Sequence, residues 1–127
     1  MQNNDITIRR KSYEAAKEIK ATAHYSYVLS GVTLDGSKFD KAAYVEEGTC
    51  IGKNADGKYE KWADAAGLTE PLIMDESVKF TLDDEGNNPD VTVGQCLVHG
   101  AVYESMLVGC TEAFKTAVGG SVRFVNQ

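Results

Sequence analysis

The sequence is poor in proline and tryptophan, with two prolines and one tryptophan among 127 residues, and it has no long apolar run. No segment approaches the roughly 20 consecutive apolar residues that a membrane-spanning helix needs, so we expect no membrane contact. The start, Met1–Asp5, is polar and no apolar segment follows it, which predicts synthesis in a cytoplasm without a signal peptide. A chain of this length suits one domain, which buries roughly two-thirds of its unfolded surface and needs no metal or disulfide to fold.

Cysteine is also scarce, and the three present, Cys50, Cys96 and Cys110, are an odd number. An odd count without a secretion signal argues against a disulfide framework. We expect Cys50 and Cys96 to be small buried apolar residues, because both stand in apolar, strand-like runs. No C-x-x-C pair occurs, and His24 and His99 are not spaced as joint ligands, so we predict no metal site and no cofactor.

The net charge of −6 is unevenly distributed along the chain. Residues 1–20 carry five basic and three acidic side chains, a net charge of +2, and the remaining residues carry eight basic and sixteen acidic side chains. An acidic body disfavours nucleic-acid binding, which needs a basic face. The acidic turn Asp83–Asp90 lacks the glycine and glutamate positions of an EF-hand loop, so we interpret it as solvated. The basic start is either an arm that docks on an acidic surface or a solvated terminus.

Strand patterns dominate the chain after residue 21. The stretch Thr22–Leu29 is aromatic and β-branched, and Ser77–Leu82 alternates apolar and polar residues. Pro71–Met74 is a short apolar strand candidate, and Val91–Val102 is strand-rich, with a continuous apolar stretch at Cys96–Val98 of the kind found in buried strands. These patterns predict a sheet that is buried in part on both faces.

Helical patterns are short and lie near the two ends. Good helix formers occupy Tyr13–Lys20, and Thr111 is a suitable N-cap for Glu112–Val118. We therefore predict a mainly β fold with minor α. The β-rich domain, made of β-hairpins and one short C-terminal helix, spans residues 22–127 and is preceded by an N-terminal arm at residues 1–21.

One stretch is similar to a phosphate-binding loop. Gly52, Gly57 and Lys58 fit that motif, but Tyr59 stands where it needs a magnesium-binding hydroxyl. A phosphate loop also runs into a helix, whereas the residues from Lys58 to Trp62 alternate like a strand. The Asp-Gly pair before Lys58 favours a tight turn, so we predict a β-hairpin. A nucleotide enzyme that uses Lys58 stays as an alternative, which ATP binding would support.

Other chemical groups do not converge in the sequence. His99 lies in a predicted core strand and is expected to be buried, and the acidic pairs at 46–47 and 75–76 are expected to be solvated. We therefore predict no catalytic residues and no enzyme. Tyr59 and Trp62 can form a stacking platform, which leaves a small carbohydrate-binding module as a further alternative, although we favour core or interface packing for both.

A series of features follows in order between Glu47 and Val125. The series is Glu47-Gly48-Thr49, then Asp56-Gly57-Lys58-Tyr59, the strand Pro71–Met74, the segment Val98–Val102, the helix Glu112–Val118 and the strand Ser121–Val125. This order, over about two-thirds of the chain, resembles that of phage head decoration proteins of the lambda type. The resemblance implies a non-enzymatic cement protein, which sits as a homotrimer on the outside of an expanded capsid and stabilises the shell.

The resemblance also implies partners, a location and binding residues. The partners are the major capsid protein and further copies of this chain, and the location is the virion surface, with the host cytoplasm during assembly. The capsid-binding arm then contains Arg9, Arg10, Lys11 and Tyr13. The aromatic, strand-forming run Thr22–Leu29 further suggests an interface strand, with Tyr25, Tyr27 and Leu29, that adds to a sheet of the shell. A tail part or the base of a head fibre is the alternative among phage structural proteins.

Overall fold

Ten β-strands and one α-helix form the framework of residues 18–126, the part of the chain that this computed structural model describes. The strands are β1 (Ser26–Tyr27), β2 (Val32–Leu34), β3 (Tyr44–Val45), β4 (Cys50–Lys53), β5 (Tyr59–Lys61), β6 (Thr69–Met74), β7 (Val78–Lys79), β8 (Val91–Val93), β9 (Cys96–Tyr103) and β10 (Val122–Val125). The helix is α1 (Glu112–Val118). The predicted mainly β fold with one short C-terminal helix is confirmed.

Eight of these strands form one sheet, in the order β1-β9-β6-β4-β5-β2-β8, with β10 pairing to β9. The pairs β9–β10 and β2–β5 are parallel, and the other pairs of the sheet are antiparallel. The strands β3 and β7 form a separate two-stranded ribbon. The helix α1 connects β9 to β10, as a crossover between parallel strands requires.

The sheet is covered on both faces, and neighbouring residues pack on opposite sides of it. One apolar cluster contains Cys50, Ile73 and Leu97 together with Ile19, Val102, Val122 and Phe114 of α1. The adjacent residues Ile51, Leu72, Met74 and Cys96 belong to a second cluster with Val45 of β3 and Phe80. Because side chains alternate along a strand, α1 closes one face and the β3–β7 region closes the other.

The stretch that is similar to a phosphate loop is a β-hairpin, as predicted. Strands β4 and β5 pair antiparallel around a turn at residues 54–58. The side-chain oxygen of Asn54 accepts hydrogen bonds from the backbone N–H groups of Asp56 and Lys58, and Gly57 has φ of +80°. The chain after Gly57 is a strand, so it offers no helix N-terminus to a phosphate.

Gly52 is required by packing. A Cβ atom at this position would lie 2.8 Å from the Trp62 ring and 2.8 Å from Cβ of Leu68. The Trp62 ring meets Phe114 edge to face, with 5.2 Å between centroids, and its Nε1–H donates to Asp64 Oδ1 over 2.7 Å. Trp62 therefore packs at the edge of the core, as we favoured, while Tyr59 is only 6% exposed and presents no open face for a sugar.

The helix α1 begins and ends where the sequence predicts. Thr111 accepts a hydrogen bond at its Oγ1 from the Phe114 N–H over 3.2 Å, and Gly119 follows the last turn with φ of +69°. Its inward residue, Phe114, is fully buried. Among residues 18–126 no helix is long and apolar enough to cross a membrane.

The first described residues belong to the domain, although the sequence analysis assigned them to the arm. Ile19 is fully buried, and Lys20 forms a β-bridge with Val102. The predicted helix Tyr13–Lys20 is therefore wrong at residues 18–20, and its earlier part lies outside the described residues. The predicted strand Thr22–Leu29 is reduced to β1, because only two of its residues find a partner strand, in β9.

Candidate functional site

Three carboxylates from distant parts of the chain converge at the start of the described residues. Glu18, Glu47 and Asp75 each offer one oxygen atom, and these atoms lie within 4.8 Å of one another. We call these three residues the carboxylate cluster. Glu47 and Asp75 lie in irregular segments beside β4 and β6, and Glu18 comes two residues before the bridge residue Lys20, so the sheet brings the three residues near one another.

The turn before β4 positions Glu47. The backbone N–H of Gly48 donates to the Met74 carbonyl over 2.8 Å, and Gly48 has φ of +95°, a conformation that favours glycine. The Thr49 hydroxyl closes the turn by donating to the Glu46 carbonyl over 2.6 Å. These bonds hold residue 47 beside the end of β6, which is where Asp75 begins.

Asp75 is the centre of the cluster. Its side chain is 2% exposed, and its backbone N–H donates to the Gln95 carbonyl over 2.8 Å. The oxygen Oδ2 accepts from the Lys20 ammonium over 2.6 Å and also from the Tyr27 hydroxyl. The other oxygen, Oδ1, is buried and has no hydrogen-bond partner while the neighbouring Glu47 is ionised; a protonated Glu47 carboxyl hydrogen-bonds to Asp75. Burying a carboxylate oxygen without a donor is unfavourable, so either a bound ligand or the proton of Glu47 would stabilise this atom.

Lys20 connects the cluster to neighbouring groups. Its Nζ lies 3.0 Å from Glu18 Oε2 as well as 2.6 Å from Asp75, and 4.9 Å from the centroid of the Tyr25 ring. The backbone bridge to Val102 fixes where this side chain starts. One ammonium therefore faces three carboxylates, which leaves an excess of negative charge when all of them are ionised.

The pKa values in the cluster follow from burial and from this charge imbalance. Burial raises the pKa of Glu47, and the nearby Asp75 carboxylate adds to the rise. Burial opposes the charged form of Lys20, but hydrogen bonds to Asp75 and Glu18 outweigh it and raise the pKa of the ammonium. Burial and the bond to Asp75 raise the pKa of Tyr27 to about 12, so its hydroxyl keeps the proton that it donates.

The residues of the predicted interface strand have different environments. Tyr27 points to Asp75 and is a structural partner of the cluster. Tyr25 is 42% exposed and packs against the Tyr27 ring with 5.3 Å between centroids, and Leu29 is 91% exposed. Gly100 of β9 lies under Tyr25, because a Cβ there would be 3.0 Å from the Tyr25 Cβ. The predicted arm residues Arg9, Arg10, Lys11 and Tyr13 lie outside the described residues.

Two predictions about charged and polar groups are wrong. His99 is exposed, since Gly100, with φ of +149°, interrupts the regular strand and the buried pattern resumes only at Ala101. Asp75 is buried, because Lys20 and Tyr27 supply partners that its neighbours in sequence do not. The adjacent Glu76 has a structural role too, with Oε1 accepting from two backbone N–H groups at the turn between β8 and β9.

One sign of this cluster is visible in the sequence. Asp75 directly follows the apolar run Leu72–Met74, and a carboxylate at the end of a buried strand needs a partner. The partners cannot be identified from the sequence, because Lys20 and Tyr27 are 55 and 48 residues away from Asp75 along the chain.

Comparison with protein-family models, with curated proteins and with solved structures finds no match to this chain. Its function is therefore argued from its own residues.

Proposed function

We propose that the protein is a structural component of a bacteriophage head, which binds the outside of the expanded capsid as a homotrimer and stabilises the shell. The proposal starts from the resemblance to decoration proteins of the lambda type. The features that carry this resemblance, the β4–β5 hairpin, β6, β9, α1 and β10, all belong to one domain and share its core.

An apolar edge of the domain is the observation that carries the proposal. Leu29 is 91% exposed and Tyr25 is 42% exposed, on either side of β1. β1 stands at one end of the strand order, and an edge strand can accept a further strand from another protein. Large exposed apolar side chains beside an open strand edge favour contact with a second protein.

The charge distribution supports the same proposal. Residues 1–20 have a net charge of +2, and the rest of the chain is strongly acidic. A basic segment attached to an acidic domain favours docking on an acidic surface, and charge complementarity of this kind speeds association and selects the partner. The residues that would make these contacts are Arg9, Arg10 and Lys11.

A binding experiment with capsid shells tests the proposal. The full chain is mixed with expanded and unexpanded shells assembled from a major capsid protein of the genome that encodes it, and binding is measured by co-sedimentation and electron microscopy. We expect binding to expanded shells, with density at three-fold positions. Failure to bind expanded shells would refute the proposal, and binding to purified tails instead would support the tail alternative.

Variants separate the arm from the apolar edge. A chain that starts at Glu18 should stay folded by circular dichroism but lose shell binding, and a start at residue 22 is unsuitable because Ile19 is part of the core. Leu29→Ser should weaken shell binding. Leu82→Ser, at another large exposed apolar residue, is the matched control and should bind normally. Equal effects of the two serine variants would contradict a specific role for the β1 edge.

A further inference from the structure

We propose that Glu18, Glu47 and Asp75 form a calcium-binding site where the N-terminal segment joins the domain. The inference is independent of the capsid proposal, since it concerns the isolated protein. Three carboxylate oxygens within 4.8 Å of one another match the spacing of ligands around one ion, whose own distances to oxygen are about 2.3–2.6 Å.

The second observation is the free oxygen of Asp75. With Glu47 ionised, the buried Oδ1 has no hydrogen-bond partner, while Oδ2 of the same side chain, which is 2% exposed, is held by Lys20 and Tyr27. Acidic residues on a surface are solvated and need no ion. This oxygen is removed from water and belongs to a carboxylate that is already fixed in place, so a cation would supply the partner that it lacks.

Lys20 explains how the site stays intact without an ion. Its ammonium contacts Asp75 Oδ2 and Glu18 Oε2, but it leaves Asp75 Oδ1 without a donor. When all three are ionised, the carboxylates exceed the ammonium by two negative charges, which equals the charge of one divalent cation. Lys20 is thus a resident positive charge that competes with the ion, and its removal should strengthen ion binding.

The ligand set selects the class of metal. All three groups are carboxylates, which bind hard cations rather than zinc or copper. The groups come from three separate segments, and water would fill the remaining positions, an irregular arrangement that calcium tolerates better than magnesium. With so few protein ligands and a competing ammonium, we expect a dissociation constant on the order of 10⁻⁴–10⁻³ M.

Bound calcium would join three segments that the sheet alone brings only near one another. Glu18 is 61% exposed at its side chain and is the first described residue, whereas Asp75 is part of the buried interior. An ion between them would tie the exposed Glu18 to the buried Asp75 and so fix the position of Glu18.

Calorimetric titration of the full chain with calcium chloride, after removal of metals with a chelator, tests the site. We expect saturable binding and a higher melting temperature with calcium than with an equal concentration of magnesium. Glu47→Gln should weaken calcium binding at least about tenfold. Asp84→Asn is the matched control, because it removes one negative charge from the exposed acidic turn, and it should bind calcium like the wild type.

Lys20→Met distinguishes a cation site from an ion pair that only stabilises the fold. If the ammonium competes with calcium, this variant should bind calcium at least about fivefold more tightly, and calcium should restore the stability that the substitution removes. No calcium-dependent heat or melting shift in the wild type and in Lys20→Met would overturn the proposal. Equal losses of calcium affinity in Glu47→Gln and Asp84→Asn would show that calcium binds elsewhere and would overturn the proposed site. Magnesium binding as tight as calcium binding would overturn the choice of ion.

Discussion

Replacing Gly52 by alanine should destabilise the protein through the Trp62 ring. The added Cβ would lie 2.8 Å from ring atom Cε3 and 2.9 Å from Cζ3, whereas carbon atoms prefer about 3.5–4.0 Å. The ring has little room to move, since it packs on Phe114 and donates to Asp64. Overpacking costs about 1–3 kcal/mol of stability. Alanine also lowers the conformational entropy of the unfolded chain relative to glycine, which offsets about 0.4–1 kcal/mol of this cost. We therefore expect a net loss of about 1–2 kcal/mol.

Urea denaturation followed by tryptophan fluorescence measures this effect, and Trp62 is the only tryptophan of the chain. The loss corresponds to a melting temperature lower by roughly 4–8 °C for a protein of this size. Gly57→Ala is the control: nothing lies within 4 Å of its Cβ position, but its φ of +80° adds backbone strain. Gly57→Ala should lower stability without changing the emission of the folded protein. A Gly52→Ala protein with wild-type stability and emission would refute the packing argument.

Three further predictions concern a buried carboxylate, a helix cap and the thiols. Asp35→Asn should cost about 1–2 kcal/mol at pH 7, because the carboxylate accepts hydrogen bonds from the hydroxyl and N–H of Ser37. Those bonds lower the pKa of Asp35. The contribution of this carboxylate to the stability of the fold is therefore present above its ordinary pKa of 3.8 and is lost as the pH falls through the lower folded value. A difference in stability between the wild type and Asp35→Asn that is the same at every pH would contradict this. Thr111→Ala should cost about 1 kcal/mol in denaturant titrations, and Thr111→Ser should restore most of it if the hydroxyl cap is the cause. Burial raises the pKa of Cys96 to about 12, so a thiol reagent at pH 8 should label the half-buried Cys110 first and Cys96 only after unfolding. Mass spectrometry follows the labelling, and equal labelling rates for the two thiols in the folded protein would contradict the burial of Cys96.

Elements whose signals are local could be predicted from the sequence. The helix α1 has its cap at Thr111 and its end at Gly119, and the hairpin has Gly57 in its turn, so both are set by residues within one short stretch. The segment Thr22–Leu29 shows the opposite case. Its aromatic and β-branched residues favour a strand, but a strand needs a partner, and β9 pairs with only two of them.

The carboxylate cluster could not be predicted for a related reason. Asp75 and Glu47 are next to other acids in the sequence, which is the usual pattern of solvated charge. Their burial depends on the sheet that brings Lys20 across to Asp75 and on the hydrogen bond from Gly48 to Met74. Contacts of this kind are determined by the completed fold, and short patterns do not report them.

Strand β9 has a consequence for how the protein is made. It pairs with β1, β6 and β10 and bridges to Lys20, so its partners come from both ends of the described chain. A chain leaves the ribosome N-terminal end first, so β1 and β6 emerge before the strand that they need. A nascent chain that stops before Cys96 should therefore be sensitive to protease, with unpaired strand edges available to other chains. Protection should appear only after Val122–Val125 has emerged, which makes folding of this domain an event that follows synthesis of nearly the whole chain.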